Sequence, residues 1–213
     1  MGIWLILSFL ILYWIFTFYK SLKCEVEVDT IRMQKGAIWN KKITIAAPKI
    51  TNVDIIQGKS YVCQIASAAY KQGQVAGINA SGGKAKYPGA TGTFISLIGK
   101  IGIAATGYNE FFAKKRGFDI VVGKAKSLTL PEWMHGAEMI TVKLIADKKT
   151  KKIIGGQVVG GGALGRINTI ATAIKAGFTL QDLADVELAY CPALSNVTDV
   201  LTLAAEFGIR RLK

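Results

Sequence analysis

Histidine and cysteine are scarce in this 213-residue chain: one histidine, His135, and three cysteines, Cys24, Cys63 and Cys191, lying far apart with no Cys-x-x-Cys pair. A structural zinc site needs four such ligands at short spacing, so the composition argues against any metal. An odd cysteine count without a secretory signal points to a reducing compartment, and the globular part is expected in the cytoplasm. Acidic residues are also few, 14 Asp and Glu against 27 Lys and Arg, giving a formal charge of +13. That surplus raises nucleic acid as a partner. The basic clusters are short, however: Lys114-Lys115-Arg116, and Lys148 to Lys152 between two apolar runs, where a hairpin turn belongs. No aromatic residue is interleaved with the second cluster, which speaks against a base-stacking surface and against nucleic acid. A solvated lysine surface, or a phosphate-bearing ligand such as coenzyme A or a dinucleotide, accounts for the charge equally well.

Long apolar runs are absent apart from one at the start. Gly2 to Tyr19 contains eighteen residues without a charge, followed by Lys20 and Lys23. This is the lower limit for a transmembrane helix. Trp4, Tyr13, Trp14 and Tyr19 suit an interfacial belt, so residues 2–19 are a possible membrane anchor for a cytoplasmic globular part. A buried helix and a non-native terminus are the alternatives. Residues 20–50 carry short alternating stretches and form no clear unit.

Hydrophobic residues make up 51% of the chain, enough for a packed core. Val62, Ile65, Ala66, Ala69, Gly73, Ala76 and Gly77 recur at helical spacing, which predicts a helix over 62–80 whose small-residue face lies close to a neighbour. Ser81-Gly82-Gly83 ends it. Strands are expected at 93–97, 101–106, 118–123, 139–146 and 153–159, with a short helix at 109–115. Two helices close the chain. One spans 166–176 and stops at Gly177; the other spans 197–207, capped by Asn196 and stopped by Gly208. Strands first and helices last predict an α+β fold, an antiparallel sheet flanked by helices.

Gly160-Gly161-Gly162-Ala163-Leu164-Gly165 satisfies G-x-G-x-x-G between a strand and a helix, with Asp182 and Asp185 where a ribose-binding acid would be sought. The strands before it form an antiparallel meander, and no second buried parallel strand follows the helix. The motif therefore reads as a tight helix–sheet turn and not as a dinucleotide site.

Several stretches together resemble one family. Ala66 to Asn79, ASAAYKQGQVAGIN, is similar to the last flavin-domain helix of NADH oxidases and coenzyme A-disulfide reductases, flavoproteins of the FAD-dependent pyridine nucleotide-disulfide oxidoreductase family. Tyr87-Pro88-Gly89 and Gly92-Thr93 resemble the link into that family's dimerisation domain. Ile101 to Glu110 is similar to its first hairpin, Leu144 to Gly160 with Arg166-Ile167-Asn168 to its central strands and helix. Asp182-Leu183-Ala184-Asp185 with Leu188-Ala189-Tyr190-Cys191-Pro192 resembles its most recognisable motif. The likeness covers about residues 60 to 210; after the hydrophobic segment at 1–23, it implies the remnant of an FAD-binding domain at 24–90 and a dimerisation domain at 91–213.

In such oxidoreductases electrons pass from NAD(P)H to FAD, to a redox cysteine and on to the acceptor, and the active unit is a homodimer. This chain departs from the pattern. It has no dinucleotide motif in a parallel context, no counterpart of the redox cysteine, and Thr51 to Gly58 where a Gly-Asp pair would contact the flavin. The resemblance leaves Gln64, Ile65 and Ala66, at the start of the flavin-domain helix, as candidate cofactor contacts. Tyr190 matches an aromatic that reaches the partner's redox cysteine, and Cys191 stands where relatives carry alanine or an acid/base histidine. A packed interface tyrosine and a structural cysteine are the plain alternatives. Trp133-Met134-His135-Gly136 falls where the family often has Tyr-Tyr-Pro-Gly, and His135 is expected at a strand edge. Three functions compete: an interface module forming a homodimer and binding no FAD by itself, a contributor of Tyr190 and Cys191 to a complementing flavoprotein subunit, and a membrane-tethered module for an anionic ligand.

Overall fold

The computed structural model describes Tyr13, the strand residues 23–27, 30–35, 41–46, 52–53 and 60–61, residues 55–58, 63 and 65, and residues 66–212 without a break. Residues 2–19 lie outside it except for Tyr13, so the anchor does too; among the described residues no helix is long and apolar enough to cross a membrane. The chain divides into two units, residues 1–52 with 72–86, and residues 53–71 with 87–213.

In the first unit, β1 (Lys23–Glu27), β2 (Thr30–Lys35) and β3 (Lys41–Ala46) form an antiparallel meander. Its register sets Val26, Ile31 and Ile45 in one row, Glu25, Arg32 and Thr44 in the next, and Cys24, Met33 and Ile43 in the one after. The stretch that had seemed incoherent is thus three short strands of period two.

Two short strands follow in the chain, β4 (Asn52–Val53) and β5 (Ser60–Tyr61), which pair with each other. The main body of the second unit is a five-stranded antiparallel sheet of β6 (Phe94–Ile98), β7 (Ile101–Gly107), β8 (Ile120–Leu128), β9 (Met139–Asp147) and β10 (Ile153–Gly160), in the order β6-β7-β10-β9-β8. Alternation decides its two faces. Ala104, Val121, Ala125, Ile140, Val142, Leu144 and Val158 turn inward and are buried. Against them lie Ile167, Ile170 and Ala173 of a helix at Ala163–Ala176, and Val200, Leu201, Ala204 and Ala205 of a helix at Val200–Arg210. The opposite face is covered at one end only, by a short helix at Glu110–Lys115 whose Ala113 packs on Ile145 and Ile154. The rest of that face stays open.

In chain order the helices are α1 (Ala66–Ala80), α2 (Glu110–Lys115), α3 (Ala163–Ala176), α4 (Leu180–Ala184) and α5 (Val200–Arg210). Local chemistry explains their ends. Asn109 accepts from Phe112 N at 2.8 Å and caps α2. Thr179 and Asp182 make a reciprocal capping box on α4, a helix the sequence pattern missed. Gly177, at φ +75°, ends α3 as expected.

Four expectations need correction. α1 begins at Ala66, not at residue 62, and its small-residue face is open: Ala66, Ala69, Gly73, Ala76 and Gly77 are exposed, and a Cβ at Gly73 or Gly77 would meet nothing within 4 Å. The buried residue is Ala68 instead. α5 is capped by Asp199, whose carboxylate accepts from Leu201 N at 2.9 Å, while Asn196 donates to the Leu128 carbonyl at 2.7 Å. Gly208 does not stop α5 but lies inside it, where the helix crosses Gly123 of β8; a Cβ at Gly123 would lie 2.0 Å from the Ala204 carbonyl oxygen, so it is that glycine that lets the helix approach. His135 sits exposed in the loop between β8 and β9, not at a strand edge.

Candidate functional site

Three places in the second unit hold the residues singled out above: the glycine turn before α3, a cleft beside the first turns of α1, and the loop between α4 and α5.

The glycine turn carries no nucleotide chemistry. β10 is antiparallel to both neighbours, so the turn has no βαβ setting. Each glycine is small for a local reason. A Cβ at Gly160 (φ +127°) would lie 2.1 Å from the Met139 carbonyl oxygen. One at Gly161 would lie 2.1 Å from a Glu138 carboxylate oxygen, and one at Gly162 2.4 Å from an Arg166 guanidinium nitrogen. A phosphate would meet a carbonyl and a carboxylate where it needs N–H donors. Nor do the former ribose candidates serve: Asp182 belongs to the α4 cap, where hydrogen bonds from Thr179 hold its carboxyl below the usual carboxylate range, and Asp185 ends α4 and accepts from Gln181 Nε2. The glycine turn therefore does not form an FAD or NAD cradle.

The cleft has a volume of about 500 Å³, with Cys63, Ile65, Lys71, Tyr87, Thr93 and Asn168 among its lining residues. Of the three cofactor candidates Ile65 lines it, Ala66 is the exposed first residue of α1, and Gln64 lies outside the described residues. Burial, with a smaller contribution from the neighbouring Cys63, pushes the Tyr87 hydroxyl above its ordinary pKa. A chain of hydroxyls leads inward from the cleft wall: Thr91 Oγ1 to Thr93 Oγ1 at 2.8 Å, and Thr93 Oγ1 to the buried Thr106 Oγ1 at 2.7 Å. These bonds tie the linker entering β6 to β7, a structural task that the sequence did not signal.

Tyr190 and Cys191 do not line the cleft. They stand on the loop of residues 185–199, both exposed, Tyr190 by 49%. The loop is held at its base and open at its crest. Ser195 Oγ donates to the Ala189 carbonyl and accepts from Cys191 N, and the Cys191 carbonyl accepts from both Leu194 N and Ser195 N at 2.8 Å. At its end Asp199 takes Arg166 Nη2 at 2.7 Å and Nε at 3.2 Å, locking loop, α3 and α5 together. Leu194 (76%) and Val197 (74%) are exposed beside Tyr190. A braced loop with apolar side chains turned to solvent can contact a partner, but nothing in it forms a complete catalytic site. Arg166 and Asp199 were not foreseen in this role. The signal for Asp199 was present, since an aspartate directly before Val-Leu is as good a cap as Asn196.

Comparison with known proteins agrees with this architecture. Residues 93–201, just over half of the chain, match the pyridine nucleotide-disulphide oxidoreductase dimerisation domain. The chain is 33% identical over 180 residues to the NAD(P)H coenzyme A polysulfide/persulfide reductase of Pyrococcus horikoshii, covering 81% of this chain and 40% of that protein. It is 34% identical over 181 residues to an NADH oxidase of Methanocaldococcus jannaschii, with 81% and 40% covered. Among solved structures, an NAD-dependent persulfide reductase from A. fulgidus superposes with a TM-score of 0.72 at 34% identity, over 76% of this chain and 30% of that one. The chain thus spans about 40% of the length of these curated relatives. The open-faced five-stranded sheet, its helices and the braced loop are those of the dimerisation domain, and the chain belongs to the FAD-dependent pyridine nucleotide-disulphide oxidoreductase family.

Proposed function

We propose that this chain is the subunit-interface portion of an NAD(P)H oxidase or disulfide reductase, that it pairs with a second copy of itself, and that by itself it does not carry electrons. On this reading residues 91–213 are the interface domain and residues 24–90 contain the end of a flavin domain. One observation carries the proposal: a sheet packed by helices on one face leaves one edge, and the part of the other face next to it, apolar and open. Phe94, Leu97, Ile98, Ile101, Met139 and Val159 are each 43–69% exposed there, apolar surface of the kind that marks an interaction site. The filled glycine turn supports the second half of the reading, because the one stretch with a dinucleotide-type glycine pattern has no room for a phosphate. The test is direct. The purified full chain at micromolar concentration should have the mass of a dimer by light scattering and show no flavin absorbance. A monomer, or a yellow protein, sinks the reading.

A second reading rests on the exposure of Tyr190 and Cys191 on one braced loop. In it the chain supplies these side chains to a flavoprotein subunit that carries the missing folds. Adding the chain to such a subunit should raise the rate of NADH consumption, and Tyr190→Phe with Cys191→Ser should cancel the gain. No gain on mixing removes this reading.

A further inference from the structure

We infer that the second copy docks on strand β6, edge to edge, joining two five-stranded sheets into one. This rests on the dimer proposed above and names its surface.

β6 is the last strand of its sheet, and all five of its residues, Phe94-Ile95-Ser96-Leu97-Ile98, are exposed. An apolar edge without charge, proline or bulge invites another strand. Which backbone groups are free follows from the ladder. Ile98 pairs with Ile101 across the two-residue turn Gly99-Lys100, where Gly99 has φ +61°. A two-residue turn closes on a hydrogen-bonded pair. Ile98, Ser96 and Phe94 therefore turn their N–H and C=O groups toward β7. The neighbouring bonds agree: Gly107 N donates toward the β6 side, to the Thr91 carbonyl, and Tyr108 N toward β10, to the Ile154 carbonyl. The N–H and C=O groups of Ile95 and Leu97 consequently point away from the sheet.

A two-fold axis through Ser96 uses all of them. Ile95 of one copy faces Leu97 of the other as a hydrogen-bonded pair, twice over, giving four main-chain bonds. The side chains then sort themselves. Phe94, Ser96 and Ile98 share the open face with Ala105, Ile103 and Ile101, while Ile95 and Leu97 lie on the helix side with Ala104 and Gly102. In this register Phe94 meets Ile98 of the second copy, Ile95 meets Leu97, and Ser96 meets its own equivalent. Every apolar side chain gains an apolar neighbour. Charge favours the same edge. Two copies of a +13 chain repel, and residues 93–99 carry no charge. The far side of the open face instead carries Lys124 directly across from Lys143, with Lys126 beside them. Lys100 would face Gly92 of the second copy and not a lysine.

Two substitutions in the full chain test this. In Leu97→Pro the ring removes an N–H that the β6–β7 ladder does not use, and the dimer should weaken by about 10-fold or more while the melting temperature of the dilute monomer stays near wild type. In Ser96→Cys the two introduced thiols would face each other across a non-hydrogen-bonded pair, with Cβ atoms about 4.5–5.5 Å apart. Mild oxidation should then give a covalent dimer whose linked peptides map to position 96 on both sides, whereas Lys124→Cys should give none. A wild-type dimer that survives Leu97→Pro and yields no disulfide at position 96 overturns the edge and leaves the dimer standing. A wild-type monomer overturns both. If Leu97→Pro fails to fold, the crosslink decides alone.

Discussion

Replacing Gly123 by alanine should be among the most damaging single-methyl changes in the protein. Gly123 lies on β8 where α5 crosses it. An added Cβ would stand 2.0 Å from the Ala204 carbonyl oxygen and 2.9 Å from Gly208 N, both backbone atoms. Carbon and carbonyl oxygen normally sit no closer than about 3.3 Å, so α5 would have to move by more than ~1 Å. That helix buries Val200, Leu201, Ala204, Ala205 and Gly208, and lifting it loosens all of them. Overpacking usually costs about 1–3 kcal/mol, and a clash with backbone belongs at the upper end. About 3 kcal/mol corresponds to a fall of roughly 6–12 °C in melting temperature for a chain of this size. Gly208→Ala is the matched control from the other side of the same contact. Its Cβ would meet Leu180 Cδ1 at 2.8 Å, the tip of a side chain that can turn, and Gly123 Cα at an ordinary 3.4 Å. Alanine is also the better helix former by about 1 kcal/mol, so the net change should stay within about 1 kcal/mol. Thermal unfolding followed by circular dichroism measures both. A Gly123→Ala protein that melts within 2 °C (roughly 1 kcal/mol) of wild type, or a Gly208→Ala protein that loses more than Gly123→Ala, refutes the account of why β8 carries a glycine beneath α5.

Arg166→Leu should cost about 2 kcal/mol in urea unfolding, because it leaves the Asp199 carboxylate, part-buried and capping α5, without its cation. The loss should change little with salt; a cost that vanishes in high salt would mean the pair is a solvated one. The Asp182 carboxyl is held below its ordinary pKa by hydrogen bonds from the Thr179 backbone N–H and hydroxyl. Its contribution is therefore present above the unfolded-state pKa and disappears as pH falls through the lower folded value. Asp182→Asn should flatten the acid limb of a stability–pH curve, and an unchanged limb counts against the capping box. A small thiol reagent should modify the exposed Cys191 before the partly buried Cys63, as peptide mass spectrometry would show. The reverse order would mean that the 185–199 loop shields its thiol.

Much of the second unit was legible because its sheet is antiparallel with one buried face, so apolar and polar residues alternate. Four of the five main strands fell within a residue or so of their expected limits. β8 did not. Its expected end at Gly123 reflects the Lys-Ala-Lys-Ser run that follows, which reads as polar. The structure continues to Leu128 because Ala125 keeps the core side while Lys124 and Lys126 stand on the open face. Gly208 misled for a related reason: a glycine near a helix end suggests a stop, and only the distance to Gly123 shows that it lies where α5 crosses β8. The small-residue face of α1 gave a clear periodicity with nothing to pack on, since periodicity records a buried face without saying what buries it. Tyr190 and Cys191 were visible only through resemblance. No local pattern marks a loop whose use lies outside the chain, and what the structure adds is their exposure and the Ser195 and Asp199 bracing beneath them.

The glycine turn at 160–165 shows how one string of letters can serve opposite electrostatics. In a dinucleotide site glycine is small because an anion comes close and backbone N–H groups must reach it. Here the glycines are small because the Met139 carbonyl and the Glu138 carboxylate already occupy that space, and because Gly102 lets Ala163 of α3 settle on β7. The ladder direction separates the two cases. A parallel neighbour would leave the strand's carboxyl end open beneath the helix. An antiparallel one returns the Met139 end of β9 to that spot, bringing an acceptor and an acid with it. The same reasoning connects the turn to the proposed role. A helix seated this tightly covers the middle of one side of the sheet and leaves the open face, the edge strand and the loop crest uncovered. Exposed apolar residues stand on the edge strand and the open face beside it, at Phe94, Leu97, Ile98 and Ile101, and on the loop crest, at Tyr190, Leu194 and Val197.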